Sequence, residues 1–350
     1  MDRRTILRSV LVLLLTAALV FLGFYAGRLA SPRNPVDVTA SEQPVIPIPL
    51  AGPLADSKAE ISGMAWYGEY LILLPQYPNF SSDYKGDGFL YALPKADILA
   101  ALDGKSDSPL EPVAIPLNDS VLSAQVENYQ GFEAVGFSGE RIFLTIEAGE
   151  GSDMRGYLVS GEIAPDLSGI TLDLGHVVEN PLQSKQDNKS DESLVVLDDR
   201  ILTIYEVNGA GVNPQPTAHA FGFDLNPLGT VSFPHIEYRV TDAALAGDGT
   251  HFWVINYFFP GDEDLLPLSD PLTERFGQGL THSQNETVER LVEMQYSESG
   301  VTLAGAAPVL LTLVADTSRN WEGLVLLDGR GFLLATDKFP ETILGFVPMP

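Results

Sequence analysis

Ten polar residues recur at matched places along the chain, and their chemistry sets the first question. Ser62, Glu133, Glu192, Asp242 and Glu322 stand near the start of five similar segments. Gln76, Glu147, Glu206 and Asn256 follow the first four after fourteen residues, and Asp337 follows Glu322 after fifteen. Seven of the ten are carboxylates. Two like charges about 4 Å apart repel by roughly 4 kcal/mol at an effective dielectric near ~20. Such a set needs a cation, basic partners or raised pKa values. Basic residues near the pattern are few: Arg239, Arg319 and Lys338. A hard divalent ion with oxygen ligands, calcium before magnesium, is the simplest answer. The expected ligands are Glu133, Glu192, Asp242 and Glu322, with Ser62 and Asn256 as neutral donors. Gln76, Glu147, Glu206 and Asp337 are expected as further members of the same mouth. The competing reading has these residues capping strand ends or hydrogen-bonding water, with no ion.

The segments that carry these residues are ISGMAWYGEYLILLPQ (61–76), FEAVGFSGERIFLTIE (132–147), DESLVVLDDRILTIYE (191–206), TDAALAGDGTHFWVIN (241–256) and WEGLVLLDGRGFLLATD (321–337). Each reads as a β-hairpin. Gly68-Glu69, Gly139-Glu140, Asp199-Arg200, Gly249-Thr250 and Gly329-Arg330 supply the tight turns, and Val, Ile, Leu and aromatic residues fill the flanks. Apolar runs such as LVVL and LVLL suit strands covered on both faces. Two further strands follow each of the first four hairpins, as in FLYAL (89–93) and EPVAIPL (111–117). GTVSFPHIEY (229–238) is the last strand expected of the third group. After the fifth hairpin only ETILGFVPM (341–349) remains, and PVIPIPL (44–50) can supply the missing strand. That closure makes a ring without open edges. The expectation is an all-β, five-bladed β-propeller over residues 44–350. This gives about 61 residues per blade, above the roughly 40–45 usual for a blade, so six blades is the alternative. A helical stretch at 95–104 and an insertion at 257–287 account for the excess. Because each turn lies midway, the paired polar residues gather at the open ends of the hairpins, at one mouth of the tunnel.

Forty-seven acidic residues against twenty basic ones give a net charge of −27, which repels phosphate backbones and argues against nucleic acid. Cysteine is absent, which excludes disulfides, thiolate metal sites and a cysteine nucleophile. Val10 to Gly27 is an 18-residue run without a charge, preceded by Arg3, Arg4 and Arg8. With positive charge inside, residues 1–30 are expected to be a cytoplasmic tip and transmembrane signal-anchor helix, residues 31–43 a linker, and the propeller extracytoplasmic. A cleaved signal peptide, giving a secreted protein, is the rival.

The loops over the mouth are rich in glycine and polar residues: 76–88, 147–156 and 206–216. Tyr77, Tyr84, Tyr257, Phe258 and Phe259 could line a pocket there, or could pack the 257–287 insertion onto the ring. There is no P-loop, G-x-S-x-G or H-E-x-x-H pattern, and His176, His219, His235, His251 and His282 lack metal-ligand spacing.

The segments NWEGLVLLDGRGFLLATD and NYQGFEAVGFSGERIFLTIEAG resemble those of phytase-like propellers, a loose group with the strictosidine-synthase-like and gluconolactonase-type propellers. The resemblance implies a calcium held by acids at the blade entries, matched here by Glu133, Glu192 and Glu322, with Asp242 as a shorter substitute. Ser62 departs from that pattern. A five-bladed ring with calcium is also similar to the soluble calcium-activated nucleotidases, without a close motif match. The resemblance implies a phytase-like or lactonase-like hydrolase. A non-catalytic surface propeller that binds a small-molecule or protein ligand around a structural ion is the alternative, and a two-carboxylate glycosidase is a third.

Overall fold

The computed structural model describes residues 39–350. The Val10–Gly27 run and most of the 31–43 linker lie outside the described residues. Among the described residues, no helix is long and apolar enough to cross a membrane.

All five hairpins form, and each grows into an antiparallel sheet unit. Unit one is Ile61–Tyr67, Tyr70–Pro75, Gly88–Pro94 and Val113–Leu117. Unit two is Tyr129–Ser138, Arg141–Ala148, Arg155–Ile163 and Ile170–Asn180. Unit three is Asp191–Val196, Ile201–Tyr205, Thr217–Phe221 and Pro227–Ser232. Unit four is Ile236–Leu245, His251–Phe258 and Val288–Ser297, with Gly300–Leu303 and Val309–Leu311 both paired to its third strand. Unit five is Trp321–Leu327, Gly331–Thr336 and Leu344–Pro348, and its outer strand is Ile46–Ile48 from the start of the domain. The closure expected of PVIPIPL is therefore made.

Two boundaries differ from the expectation. The stretch 229–238 breaks in two: one strand ends at Ser232, and the first strand of unit four begins at Ile236. The 31–43 segment ends in a strand, Ser41–Gln43, which pairs in parallel with Val309–Leu311 of unit four. Glu42 holds it there, accepting hydrogen bonds from the backbone N–H of Thr281 (2.8 Å) and of His282 (3.1 Å).

The first strands pack in a cycle, one to two, two to three, three to four, four to five and five to one. Side-chain alternation explains how one strand serves two neighbours. In the second strand of unit one, Leu71 and Leu73 pack with Val325 and Leu333 of unit five, while Ile72 and Leu74 pack with Phe132 and Leu144 of unit two. Further clusters join units two and three through Phe143 and Leu194, three and four through Ile204 and Val254, and four and five through Ile255 and Leu324. Burying each such side chain contributes about 1.5–3 kcal/mol, so the consecutive apolar runs are what a strand between two sheets requires. A cavity of 250 Å³ lies between the first strands and is lined by Met64, Val135, Leu194, Ala243 and Leu324, one from each unit. The architecture is thus propeller-like, with an apolar axial cavity toward the hairpin turns.

Candidate functional site

Every first strand carries a β-bulge near its start. Pairing slips by one residue between Ile61 and Gly63, Phe132 and Val135, Asp191 and Ser193, Val240 and Ala243, and Trp321 and Gly323. A bulge re-aims the side chain it carries. The register makes Ser62, Glu133, Glu192, Thr241 and Glu322 equivalent, each following a residue paired to the second strand. The hydroxyls confirm the match. Ser62 Oγ donates to the Phe132 carbonyl at 2.7 Å, and Thr241 Oγ1 donates to the Trp321 carbonyl at 2.6 Å. Each thereby ties one first strand to the next.

On the second strands the equivalent places are Gln76, Glu147, Glu206, Tyr257 and Asp337. Opposite them stand Glu60, Gly131, Ser190, Arg239 and Asn320. Gln76, Glu206 and Asp337 donate their backbone N–H to the carbonyls of Glu60 (2.7 Å), Ser190 (2.8 Å) and Asn320 (2.9 Å). Glu147 pairs with Gly131, and Tyr257 with Arg239. Gly131 has φ +121°, and a Cβ there would meet the Gln76 carbonyl oxygen at 2.7 Å, so only glycine lets units one and two approach so closely.

Unit four therefore corrects two expected ligands. Its turn spans six residues between the Leu245–Phe252 pair, against two between Tyr67 and Tyr70 in unit one. Counting fourteen residues lands one late on the first strand and one short on the second. Asp242 lies one residue past the collar position, below it. Its carboxylate accepts the backbone N–H of Ala243 (2.8 Å) and of Leu324 (2.7 Å). Burial pushes its carboxyl well up, against those hydrogen bonds. Asn256 faces away from the collar. Its amide donates to the carbonyls of Glu237 (2.8 Å) and Arg239 (2.9 Å), and its oxygen accepts from Arg290 Nε (2.7 Å). Ser62 is committed to its bond with Phe132. These three residues are framework.

The remaining carboxylates come together: Glu133, Glu147, Glu192, Glu206, Glu322 and Asp337. The five glutamates are all buried. Arg239 is the cation among them. Its Nη2 lies 3.5 Å from Glu192 Oε2 and 3.5 Å from Glu322 Oε1, and its Nε donates to Glu206. Lys189 Nζ lies 3.7 Å from Glu206. The Tyr257 hydroxyl donates to Asn320, and Asn320 Nδ2 donates to Glu322 (2.9 Å) and Asp337 (3.1 Å). Between the adjacent units one and two, Gln76 Nε2 donates to Glu133 Oε1 at 3.1 Å.

Two cations among six carboxylates leave a deficit, and the acids respond. Burial, then the charges of Glu147 and Glu322, raise Glu133 well above the carboxylate range. Burial and Glu206 raise Glu192, with Arg239 opposing; burial and Asp337 raise Glu322 in the same way. Glu147 is pushed up to about 7 by burial and by Glu206, and Asp337 to about 6 by burial and by Glu60. Glu147 Oε1, Glu192 Oε2, Glu206 Oε2 and Asp337 Oδ1 are buried without a hydrogen-bond partner. Among the described residues, no group of three or more His, Asp or Glu side chains is drawn together as a metal-binding cluster.

Beside the collar lies a cavity of 450 Å³, walled by Tyr77, Tyr84, Tyr129, Glu60, Asp119 and Lys338. Tyr77 joins the two regions: burial, then the charges of Glu133, Glu60 and Glu147, push its hydroxyl up to about 12. The other loop aromatics do different work. Tyr257 enters the collar, Phe258 packs on Tyr238 at 5.5 Å and Phe259 on Phe339 at 5.9 Å between ring centroids. The insertion covers a separate cavity of 670 Å³, where Arg290 is already paired with Asp270. Residue counting places Arg239 only near the pattern and Tyr257 only among the loop aromatics, and it does not single out Asn320. Register, with Arg239 two residues ahead of the bulge at Thr241, is the signal that finds them.

No protein-family model matches the sequence, and no curated protein matches it. Among solved structures, the chain is similar to glutaminyl cyclase from Myxococcus xanthus, at 9% identity over 88% of this chain and 99% of that one, with a TM-score of 0.44. It is also similar to the GH43_1 enzyme from Xanthomonas citri complexed with xylose, at 11% identity over 87% and 90% of the chains, with a TM-score of 0.46. An exo-1,5-alpha-L-arabinanase from a bovine ruminal metagenomic library gives 8% identity over 85% and 95%, with a TM-score of 0.44. These are propeller-type folds. Likenesses so distant carry no argument about activity, and the architecture of this chain rests on its own strand pairing.

Proposed function

We propose that the chain is a five-bladed propeller whose collar is a carboxylate acid–base site, and that it hydrolyses a neutral substrate. The observation that carries this is six converging carboxylates around one guanidinium, next to a cavity large enough for a ligand. Hydrolysis of a C–O bond needs one carboxyl to protonate the leaving oxygen and one carboxylate to activate water. Environments that push neighbouring acids apart provide both forms at one pH. Glu147 and Asp337, pushed up to about 7 and about 6, each titrate close to neutrality. Arg239 opposes the rise of Glu192 and Glu322, which burial still lifts.

Charge narrows the substrate. Arg239, Lys189 and Lys338 are all within ion-pair distance of carboxylates, Lys338 at 2.9 Å from Glu60. Among the described residues, the cations at the collar and on the cavity wall are already paired, so a lactone or a glycoside fits better than a phytate-like substrate. A panel of lactones, glycosides and phosphoesters, turned over by wild type and by Glu147→Gln, tests this. Loss of turnover in Glu147→Gln of at least about 100-fold is expected for a general acid–base group; equal turnover excludes that role.

The unpartnered carboxylate oxygens favour a second reading, a hard divalent ion, calcium before magnesium. Arg239 occupies the acids of units three and five. The donors left for an ion are Glu133 and Glu147 of unit two and Asp337 of unit five, with Gln76; they do not form a ready cluster, so an ion would have to draw them together. An ion there would serve a non-catalytic, ligand-binding propeller equally well. The uncharged run at 10–27 supports a membrane-anchored, extracytoplasmic placement. Membrane fractionation of the full chain, against a chain lacking residues 1–38, tests it: equal release of both into the soluble fraction overturns the anchor.

A further inference from the structure

We infer that the tyrosine-walled cavity beside the collar is a binding subsite for a neutral, hydroxyl-rich ring, that is, a carbohydrate. The inference rests on the collar acting on a neutral substrate and names the class of that substrate. Three observations on the wall point the same way.

The first is its shape. Tyr77 stands at the corner of an aromatic wall, edge-on to Tyr84 at 5.7 Å and 88°, and to Tyr129 at 6.4 Å and 73°. Rings set nearly at right angles offer apolar faces on more than one side. The C–H face of a sugar ring packs on such a surface, while its hydroxyls turn toward polar groups.

The second is charge. Glu60 is paired with Lys338 at 2.9 Å, so that pair adds no net charge to the wall. Asp119 is pushed up to about 6, chiefly by burial, and Gly88 donates its N–H to it at 2.7 Å. At neutral pH the wall therefore offers donors and acceptors with the charge of Asp119 as its one uncompensated carboxylate. An anion meets the repulsion of Asp119 and of the collar; an organic cation is the competing occupant, and the choline arm of the test decides against it or for it.

The third is rigidity. The 76–88 loop is bonded to itself: Asn79 Nδ2 donates to the Gly86 carbonyl at 2.9 Å, Ser82 Oγ to the Lys85 carbonyl at 2.7 Å, and the Tyr84 N–H to the Asn79 carbonyl at 3.0 Å. Gly88 seats the loop against Pro78, where a Cβ would come within 2.2 Å of the Pro78 carbonyl carbon. A prebuilt wall loses little entropy on binding.

The test is calorimetric titration of the full chain with neutral pentose and hexose oligosaccharides, alongside glucose 6-phosphate and choline. Tyr84 is 49% exposed, so its truncation leaves the core intact. At least one neutral saccharide is expected to bind, and neither charged probe. Tyr84→Ala is expected to weaken binding about ten-fold, the loss of one stacked ring, and Tyr84→Phe to keep it. Glu147→Gln is expected to bind as wild type does. Binding of no neutral saccharide, preference for choline or glucose 6-phosphate, or full affinity in Tyr84→Ala overturns the subsite. Tyr84-dependent saccharide binding with undiminished turnover in Glu147→Gln overturns the acid–base role and leaves the subsite standing. Turnover of a non-saccharide lactone with KM unchanged in Tyr84→Ala does the reverse.

Discussion

Arg239 and Tyr257 face each other across the fourth hairpin, with the guanidinium carbon 5.0 Å from the centre of the tyrosine ring. The ring supports the cation from one side while Glu192, Glu206 and Glu322 surround it from the others. Removing one partner of a buried ion pair costs about 3–5 kcal/mol, because the other charges are stranded. Arg239→Met is expected to lose stability on that scale in urea unfolding at pH 8. Arg239→Lys is expected to recover only part of it, since an ammonium cannot reach three carboxylates as a planar fork does. A variant as stable as wild type would show that the acids do not depend on this cation.

The pH dependence of stability has a defined sign. Glu147, Asp337 and Asp119 have folded-state pKa values raised to about 7, 6 and 6, above those of unfolded acids. Between about pH 4 and pH 7 the native state therefore binds more protons than the unfolded chain. Their contribution is fully present below about pH 4 and is lost as pH rises through 6 and 7. Acids with lowered values, such as Asp270 beside Arg290, act in the opposite sense and only at lower pH. Calorimetry is expected to give a higher Tm at pH 5 than at pH 8. Glu147→Gln should flatten that difference, and a Tm that rises toward pH 8 would contradict the raised values.

Asp242 staples the axis. Its carboxylate accepts the backbone N–H of Leu324 in a neighbouring first strand at 2.7 Å. Asp242→Ala leaves that N–H buried and unpaired, at a cost of about 1–3 kcal/mol. Asp242→Asn keeps one acceptor oxygen and is expected to retain most of the stability. Both changes should leave ligand binding at the collar unaltered, which equilibrium unfolding and calorimetry measure separately.

A divalent ion bound at Glu133, Glu147 and Asp337 would compete with protons for them. An ion at these acids is expected to raise Tm at pH 8 and to have little effect at pH 5, with EDTA reversing the rise. A Tm indifferent to calcium and to EDTA at pH 8 would leave protons and Arg239 as what balances the collar.

Much of this architecture was legible because it is local. Gly68, Gly139 and Gly329 mark turns, and apolar runs mark strands buried on both faces, so five hairpins and the closing strand follow from neighbouring residues alone. The acids of units two, three and five were legible for the same reason: their hairpins keep nearly constant length. Unit four was not, because its longer turn shifts both strands against a fixed count, exchanging Thr241 for Asp242 and Tyr257 for Asn256. Arg239 was legible only as a basic residue near the pattern, not as the cation at its centre. Its partners lie in units three and five, and ion pairs between sheets leave no mark on the spacing within one sheet.

The strand Ser41–Gln43 has a mechanical consequence. The chain first meets the ring at unit four, through that strand and the bonds of Glu42, and only then runs on to Ile46–Ile48, which shuts unit five. A pull on the polypeptide ahead of residue 39 is met at unit four before it reaches the closing strand. Force applied ahead of residue 39 would load that strand and the bonds of Glu42 first, as a cable clamp takes load ahead of the joint it protects.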